Sequence, residues 1–170
     1  MQNDSLTCEC QPIPKIERAL GVLVHKMLCR VCRLVGELII LLCKRTIPSQ
    51  VALGGEDGSI YIMSNFQVSV VEYSNVKLPL TQLVCVQDSM PGQEDFILCA
   101  GHFNNLFVYK AGKRVCQHKT PDWIVSMATA DVDRDGNVEV VVGCLDNSVQ
   151  ALKMTTSSKF DLKWHYSTVH

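Results

Sequence analysis

The chain has 170 residues and a formal net charge of −1, which suits one domain and gives no general attraction to nucleic acid. Residues 1–48 hold seven lysines and arginines against four acids, a balance of +3, so the remaining residues carry −4. Nine cysteines follow no secretory signal, and we therefore expect reduced, mostly buried thiols in a cytoplasmic protein.

The first unit of the predicted organisation, residues 1–36, is a loose tail followed by an amphipathic α-helix that begins near residue 16. Apolar residues fall three or four apart on one face of this helix, and charged residues do so on another. The pattern predicts a surface helix packed on the domain, and its basic face also suits contact with a membrane surface or a partner protein. Charged residues interrupt the apolar run from Ala19 to Cys43, so we expect no membrane span.

From residue 37 the chain repeats an apolar strand, a short turn and an alternating strand. The pattern occurs in residues 51–63, 96–110 and 138–154. The first strand of each repeat ends at an equivalent small residue, Gly54, Ala100 or Gly143. The turn that follows contains a second equivalent residue, Gly58, Asn104 or Asn147. The spacings of 46 and 43 residues between Gly54, Ala100 and Gly143 match the period of a four-stranded propeller blade.

Two further strands flank each hairpin. The innermost strands are predicted at Leu38–Cys43, Leu83–Val86 and Ile124–Ala130, and the outermost at Val68–Tyr73, Arg114–His118 and Leu162–Tyr166. The sequence therefore predicts an all-β fold over residues 37–170, a partial β-propeller of about three four-stranded blades at 37–79, 80–121 and 122–167. Propellers typically close with about four to eight blades, so we expect a fragment or short form of a larger propeller, or closure by self-association or by a partner.

Several apolar and aromatic side chains are predicted to pack within or between the blades. Five residues on the strands are expected to form the core: Leu53, Leu98, Ile124, Val140 and Val142. Trp123 and Trp164 are expected to pack between blades. His102 and Phe103 lie beside a hairpin turn, where they face solvent or contact a partner.

The loop before the third hairpin has the composition of a cation site. Asp131, Asp133 and Asp135 alternate and are followed by glycine, and the backbone carbonyl of Asn137 and the carboxylate of Glu139 complete a set of five oxygen ligands. The twelfth position of the loop is apolar, which excludes an EF-hand. The sequence leaves two alternatives, a weak calcium site with a dissociation constant of roughly 0.1–1 mM and an acidic turn that is structural and binds no metal.

The chain lacks the sequence signatures of common enzyme classes. It has no Gly-x-Ser-x-Gly elbow, no phosphate-binding Gly-Lys-Ser/Thr loop and no dinucleotide fingerprint. It also lacks a basic and aromatic strip of the kind that binds nucleic acid. We therefore predict a protein that is not an enzyme and needs no cofactor, unless the acidic loop binds calcium.

The segment DVDRDGNVEVVVG, residues 131–143, resembles the repeats of integrin-alpha-like (FG-GAP) β-propellers, in which this loop can bind calcium. The Phe-Gly…Gly-Ala-Pro signature itself is absent. The layout is similar to intracellular members, the FG-GAP subunits of KICSTOR, which restrains TORC1 signalling, and the propeller subunits of the BBSome, which moves ciliary cargo. The resemblance implies a cytoplasmic scaffold bound to protein subunits at the lysosome or the cilium, with the KICSTOR-like role favoured. A calcium-dependent adhesion module is the further alternative.

Overall fold

The structure is a computed structural model that describes residues 38–43, 50–64, 67–69, 71–88, 93–155 and 159–167. The predicted tail and helix of residues 1–36 lie outside the described residues. The described residues form thirteen β-strands in three antiparallel sheets, which agrees with the predicted all-β fold. Within this part of the chain, no helix has the length and hydropathy that crossing a bilayer requires.

Each sheet is built from neighbouring segments of the chain. Sheet A consists of β1 (Leu38–Cys43), β2 (Gln50–Gly55), β3 (Ser59–Ser64), β4 (Gln67–Val68) and β5 (Ser74–Asn75). Sheet B consists of β6 (Leu80–Val86), β7 (Phe96–Gly101), β8 (Phe103–Lys110) and β9 (Lys113–Lys119). Sheet C consists of β10 (Ile124–Ala130), β11 (Glu139–Cys144), β12 (Ser148–Thr155) and β13 (Lys159–Ser167). Strands pair in chain order in sheets B and C, whereas β4 and β5 both pair with β3 in sheet A.

The outer edge of sheet A differs from the predicted strand Val68–Tyr73. Between β4 and β5 the chain leaves the edge, and Val71 is 75% exposed there. The backbone N–H of Val71 donates to the Ser69 hydroxyl at 3.2 Å, while Tyr73 donates its N–H to the carbonyl of Ile60 at 2.7 Å. The prediction of one continuous strand was wrong, because a local side-chain hydrogen bond competes with the ladder.

Sheet B lies between sheets A and C and packs against both. One core cluster joins sheets A and B, and a second joins sheets B and C. The innermost strand of sheet B, β6, contacts the innermost strands of both neighbouring sheets, β1 and β10, so the sheets fan out from a common inner side. The five predicted core residues are each no more than 1% exposed, which confirms them: Leu53, Leu98, Ile124, Val140 and Val142.

The hairpin turns of sheets A and C have the predicted chemistry, and the turn of sheet B does not. Gly58 and Asn147 both have positive φ, 82° and 64°. In sheet B the chain reverses earlier, because β7 ends at Gly101 and β8 already begins at Phe103. Phe103 is buried in the core between sheets A and B, and this burial draws the start of β8 inward. The turn position of Asn104 and the exposed position of Phe103 were therefore wrong.

The turns of sheets A and C share one hydrogen-bond pattern. Asp57 Oδ1 accepts the backbone N–H and the hydroxyl of Ser59 at 3.0 and 2.5 Å, and Asp146 Oδ1 accepts those of Ser148 at 3.0 and 2.6 Å. The hydroxyl bond is the main cause that lowers the pKa of each carboxyl. Because each folded pKa lies below the unfolded value of about 3.9, the stabilisation is present above about pH 4 and is lost as the pH falls through the folded pKa.

We expect Ser148→Ala to raise the pKa of Asp146 toward its ordinary value, because the variant removes the hydroxyl that stabilises the charged carboxylate. The stabilisation would then be smaller and would be lost at a higher pH. A carbon-detected NMR titration of the aspartate carboxyl groups measures this pKa. Asp57 serves as the internal control, since its own serine is unchanged. An unaltered Asp146 titration would contradict this interpretation of the turn.

Three of the cysteines on the strands are free thiols and buried, as the sequence predicts: Cys99, Cys116 and Cys144. Burial raises the pKa of each of these thiols, so they remain protonated and poorly nucleophilic near neutral pH. Cys85 of β6 is disulfide-bonded, and the expectation of reduced cysteines is therefore wrong for this residue.

A polar link joins the outer parts of sheets B and C. Gln150 of β12 is 5% exposed, and its Oε1 lies 3.2 Å from His118 Nε2 on β9. Its Nε2 lies 3.2 Å from His165 Nδ1 on β13. The buried amide is thus satisfied at both ends, and it adds polar contacts to an interface that is otherwise apolar.

Candidate functional site

The acidic loop, residues 131–138, connects β10 to β11, and all of its residues are exposed. Arg134 and Gly136 adopt positive φ, 60° and 86°. The left-handed backbone conformation of these two residues bends the chain within a few positions and brings the loop carboxylates near the start of β11.

The loop aspartates accept hydrogen bonds from the loop backbone. Asp131 accepts the N–H groups of Asp135 and Gly136 at 3.1 and 3.0 Å, and Asp133 also accepts that of Asp135 at 3.2 Å. Asp135 accepts the backbone N–H and the side-chain amide of Asn137 at 2.9 and 3.0 Å. These bonds are those of an Asx-type turn, so the loop has an internal structure that does not depend on a bound ion.

Glu139 is the buried member of the site. The sequence placed the strand start at Val138, but β11 begins at Glu139, and Val138 is 45% exposed. Glu139 is 1% exposed, and its Oε2 accepts the backbone N–H of Val132 at 2.8 Å. Its Oε1 is buried and has no hydrogen bond. A carboxylate in this position needs a positive charge nearby, because burial of an uncompensated charge is costly.

Three of the five predicted ligands converge. Carboxylate oxygens of Asp131, Asp133 and Glu139 all lie within 4.8 Å of one another. Asp135 directs its carboxylate to a lysine, and the Asn137 amide donates to Asp135. The loop therefore brings together a cluster of three carboxylates, and the other two predicted ligands have different partners.

Lys153 of β12 supplies the positive charge of the site. It is the cross-strand partner of Glu139, and its ammonium forms an ion pair with Asp135. The same nitrogen lies 3.4 Å from Glu139 Oε1 and 3.7 Å from Asp133 Oδ2. The hydrogen bond with Asp135 holds the pKa of that carboxyl well below its usual range and raises the pKa of Lys153. A second ammonium, that of Lys163, lies 3.9 Å from Asp133 Oδ2.

Calcium would have to share its ligands with this lysine. Calcium binds oxygen at roughly 2.3–2.6 Å, and oxygens of Asp133 and Glu139 already face the Lys153 ammonium. An ion among these carboxylates would repel the ammonium, so the site as it stands suits Lys153, and calcium requires that this side chain move away. The five-residue calcium site stays a prediction.

Sequence reasoning missed Lys153, although the hairpin register contains the signal. The turn centred on Asp146 pairs Gly143 with Val149, and counting outward from this pair places Lys153 opposite Glu139. Residues directly opposite each other in antiparallel strands point to the same face of the sheet. A lysine opposite the last acidic ligand therefore predicts an ion pair.

A second candidate site is the open face of sheet C, which we define as Val141, Val149, Ala151, Trp164 and Tyr166. Cross-strand pairs place these residues on one face, because Val141 pairs with Ala151, Ala151 with Trp164, and Val149 with Tyr166. Their neighbours in sequence, among them Val140 and Val142, belong to the core with sheet B on the opposite face.

The two aromatic side chains of the open face are exposed and stacked on each other. Trp164 is 50% and Tyr166 53% exposed, and their ring centroids lie 6.1 Å apart with an interplanar angle of 7°. Trp164 lies on the face of sheet C opposite sheet B, so its packing between blades stays a prediction. Trp123 is 40% exposed and stacks on His102 at 4.9 Å, beside the hairpin turn of sheet B.

Comparisons with known proteins show the fold of this chain but no family. No protein-family model matches the chain, and no curated protein matches it. Two solved structures that resemble this chain are crystal structures of BBS1N in complex with ARL6DN, one soaked with mercury and one with lead. The first gives a TM-score of 0.60 at 13% sequence identity over 76% of this chain, and the second 0.56 at 18% over 77%.

The likeness shows a propeller-like fold, consistent with the three sheets that fan out from a common inner side. This chain spans 36% and 39% of the length of the two BBS1N chains. At these identities the likeness concerns the fold alone.

Proposed function

We propose that this chain is a propeller-like scaffold that acts by binding other protein subunits in the cytoplasm, without catalysis. The observation that carries the proposal is the open face of sheet C. It combines half-exposed stacked aromatic rings with the partly buried side chains of Val141 and Val149 around the buried Ala151, and such surfaces are enriched at protein interfaces.

The repeat indicates what kind of surface the open face binds. Val141 follows Leu98 by 43 residues, and Leu98 follows Ala52 by 46 residues. Leu98 is buried in the core with sheet C, and Ala52 in the core with sheet B. The same position is therefore covered by the next sheet in both earlier cases. We infer that the occupant of the open face is the apolar face of an antiparallel β-sheet carried by a partner subunit.

The resemblance to FG-GAP propellers and the likeness to BBS1N support a role in a multiprotein complex. BBS1N is itself bound to another protein, ARL6DN, in both structures. A BBSome-like role is compatible with this likeness, whereas a KICSTOR-like role in TORC1 signalling rests on the sequence resemblance. The pairing of Lys153 with the acidic loop supports a scaffold over a calcium-dependent adhesion module.

Affinity purification of the tagged chain, followed by mass spectrometry, tests the proposal. We expect stable recovery of propeller-containing subunits, and a loss of about tenfold or more on Trp164→Ser with Tyr166→Ser, since exposed aromatic anchors contribute most of the binding free energy. Val71→Ser is the matched control, because Val71 is an exposed apolar residue on the distant edge of sheet A. Two outcomes would contradict the proposal. One is equal recovery of partners with the unaltered chain, the double variant and the Val71→Ser control, and the other is recovery of chaperones alone.

The recovered subunits also distinguish the alternatives. BBSome subunits would support the ciliary role, and TORC1-regulating subunits the lysosomal one. Recovery of only a second copy of this chain, measured by mass photometry, would show self-association and contradict a partner subunit as the occupant.

A further inference from the structure

A lysine occupies the same place in sheets B and C. Lys110 precedes Lys153 by 43 residues, the spacing of the repeat. Its ammonium donates to Asp88 Oδ2 at 2.6 Å and lies 4.8 Å from the centre of the Phe96 ring. Asp88 and Phe96 precede Asp131 and Glu139 by the same 43 residues. In sheets B and C the third strand thus carries a lysine that reaches the segment between the first two strands.

The surroundings of the two lysines differ in charge. Lys110 pairs with the Asp88 carboxylate beside an aromatic ring. Lys153 faces three carboxylates, and its own side chain is only 13% exposed. One of these carboxylates, Glu139, is almost fully buried and has an oxygen without a hydrogen bond. Sheets B and C therefore share a lysine position, and only in sheet C do the described residues place an acidic cluster around it.

We propose that Lys153 is the resident cation of the acidic loop, and that it closes a divalent-cation site formed by Asp131, Asp133 and Glu139, which opens when Lys153 is removed. The Glu139 carboxylate belongs to the cluster, and among the described contacts the Lys153 ammonium alone compensates its Oε1. A calcium ion offers the same compensation with twice the charge. The lysine ammonium and a calcium ion cannot occupy the same position, so the unaltered chain is insensitive to calcium.

The size of the expected effect follows from ligand linkage. For a loop of this class, with a dissociation constant of roughly 0.1–1 mM, calcium at 5 mM would raise the folding equilibrium constant of Lys153→Met about 6- to 50-fold. The unaltered chain is expected to change less than about twofold under the same conditions.

Thermal and urea unfolding with 5 mM calcium chloride or with EDTA test the proposal. We expect calcium to stabilise Lys153→Met, and also Lys153→Gln, whose shorter neutral side chain leaves the cluster open. Lys110→Met is the matched control. It removes the equivalent lysine, around which the described residues form no such cluster, and its stability is expected to be independent of calcium. Lys153→Met combined with Glu139→Gln is expected to lose the calcium response.

Four outcomes would overturn the proposal. The first is calcium-dependent stability of the unaltered chain, which would mean that Lys153 does not close the site. The second is calcium-independent stability of both Lys153 variants, and the third is failure of both to fold even with calcium. A calcium response in Lys110→Met equal to that of Lys153→Met would equally show that the effect does not arise at the acidic loop.

Discussion

Replacing Val142 with aspartate is expected to unfold sheet C. Val142 is 0% exposed and belongs to the core between sheets B and C, where we find no described cationic partner within that apolar cluster. Burial of an unpaired carboxylate in such a place costs more than about 4 kcal/mol. This is a large part of the roughly 5–15 kcal/mol that stabilises a typical domain. Thermal unfolding and the solubility of the variant measure the effect.

Val141→Asp is the matched control for this prediction. Val141 adjoins Val142 in β11 but lies on the open face of sheet C. A carboxylate there remains in contact with water, and we expect the free energy of unfolding to fall by only about 1 kcal/mol. The same variant should nevertheless lose its partner subunit, since the charge would be buried on binding. Equal destabilisation by the two substitutions would show that the faces of sheet C are not assigned correctly.

Gly58→Ala is expected to lower the free energy of unfolding by about 2–4 kcal/mol, the second of the largest effects. Gly58 has a φ of +82°, a conformation that is strained for alanine. A Cβ added at this position would also lie 2.7 Å from the backbone oxygen of Leu78 and 2.8 Å from the backbone nitrogen of Lys77. Backbone atoms cannot rotate away as a side chain does, so the connection from sheet A to sheet B would have to shift. Urea unfolding quantifies the loss.

Gly136→Ala separates the effect of backbone strain from the effect of the close backbone contact. Gly136 has a similar φ of +86°, but a Cβ added there would meet no atom within 4 Å. This variant therefore carries the backbone strain without the close approach, and we expect a loss of about 1–2 kcal/mol. If Gly58→Ala cost no more than Gly136→Ala, the packing of the first hairpin turn against residues 77–78 would not contribute to stability.

The sheets and their core could be predicted because periodic patterns report them directly. Val140 and Val142 lie in an unbroken β-branched run, and the spacing between repeats identifies Leu98 as the equivalent of Ala52, which is buried in sheet A. The predictions failed where one side chain overrides the pattern. Burial of Phe103 moves the turn of sheet B, and the Ser69 hydroxyl draws the chain away from the edge of sheet A.

The candidate site could be predicted in its composition but not in its pairing. Alternating aspartates mark a loop that can surround a cation, and this pattern is local in the sequence. The cation that faces them, Lys153, is 18 positions beyond Asp135 and is brought there by the β11–β12 ladder. Its role depends on strand register, which local composition does not encode.

The Gln150 link between sheets B and C constrains where protons reside. With its oxygen toward His118 and its nitrogen toward His165, the amide accepts at one end and donates at the other. His118 must then carry a hydrogen on Nε2, and His165 must keep a lone pair on Nδ1. Both imidazoles are thus fixed as the Nε2–H tautomer: His118 binds the amide through that N–H, and His165 binds it through the Nδ1 lone pair. One side chain therefore sets the hydrogen positions of two rings in neighbouring sheets.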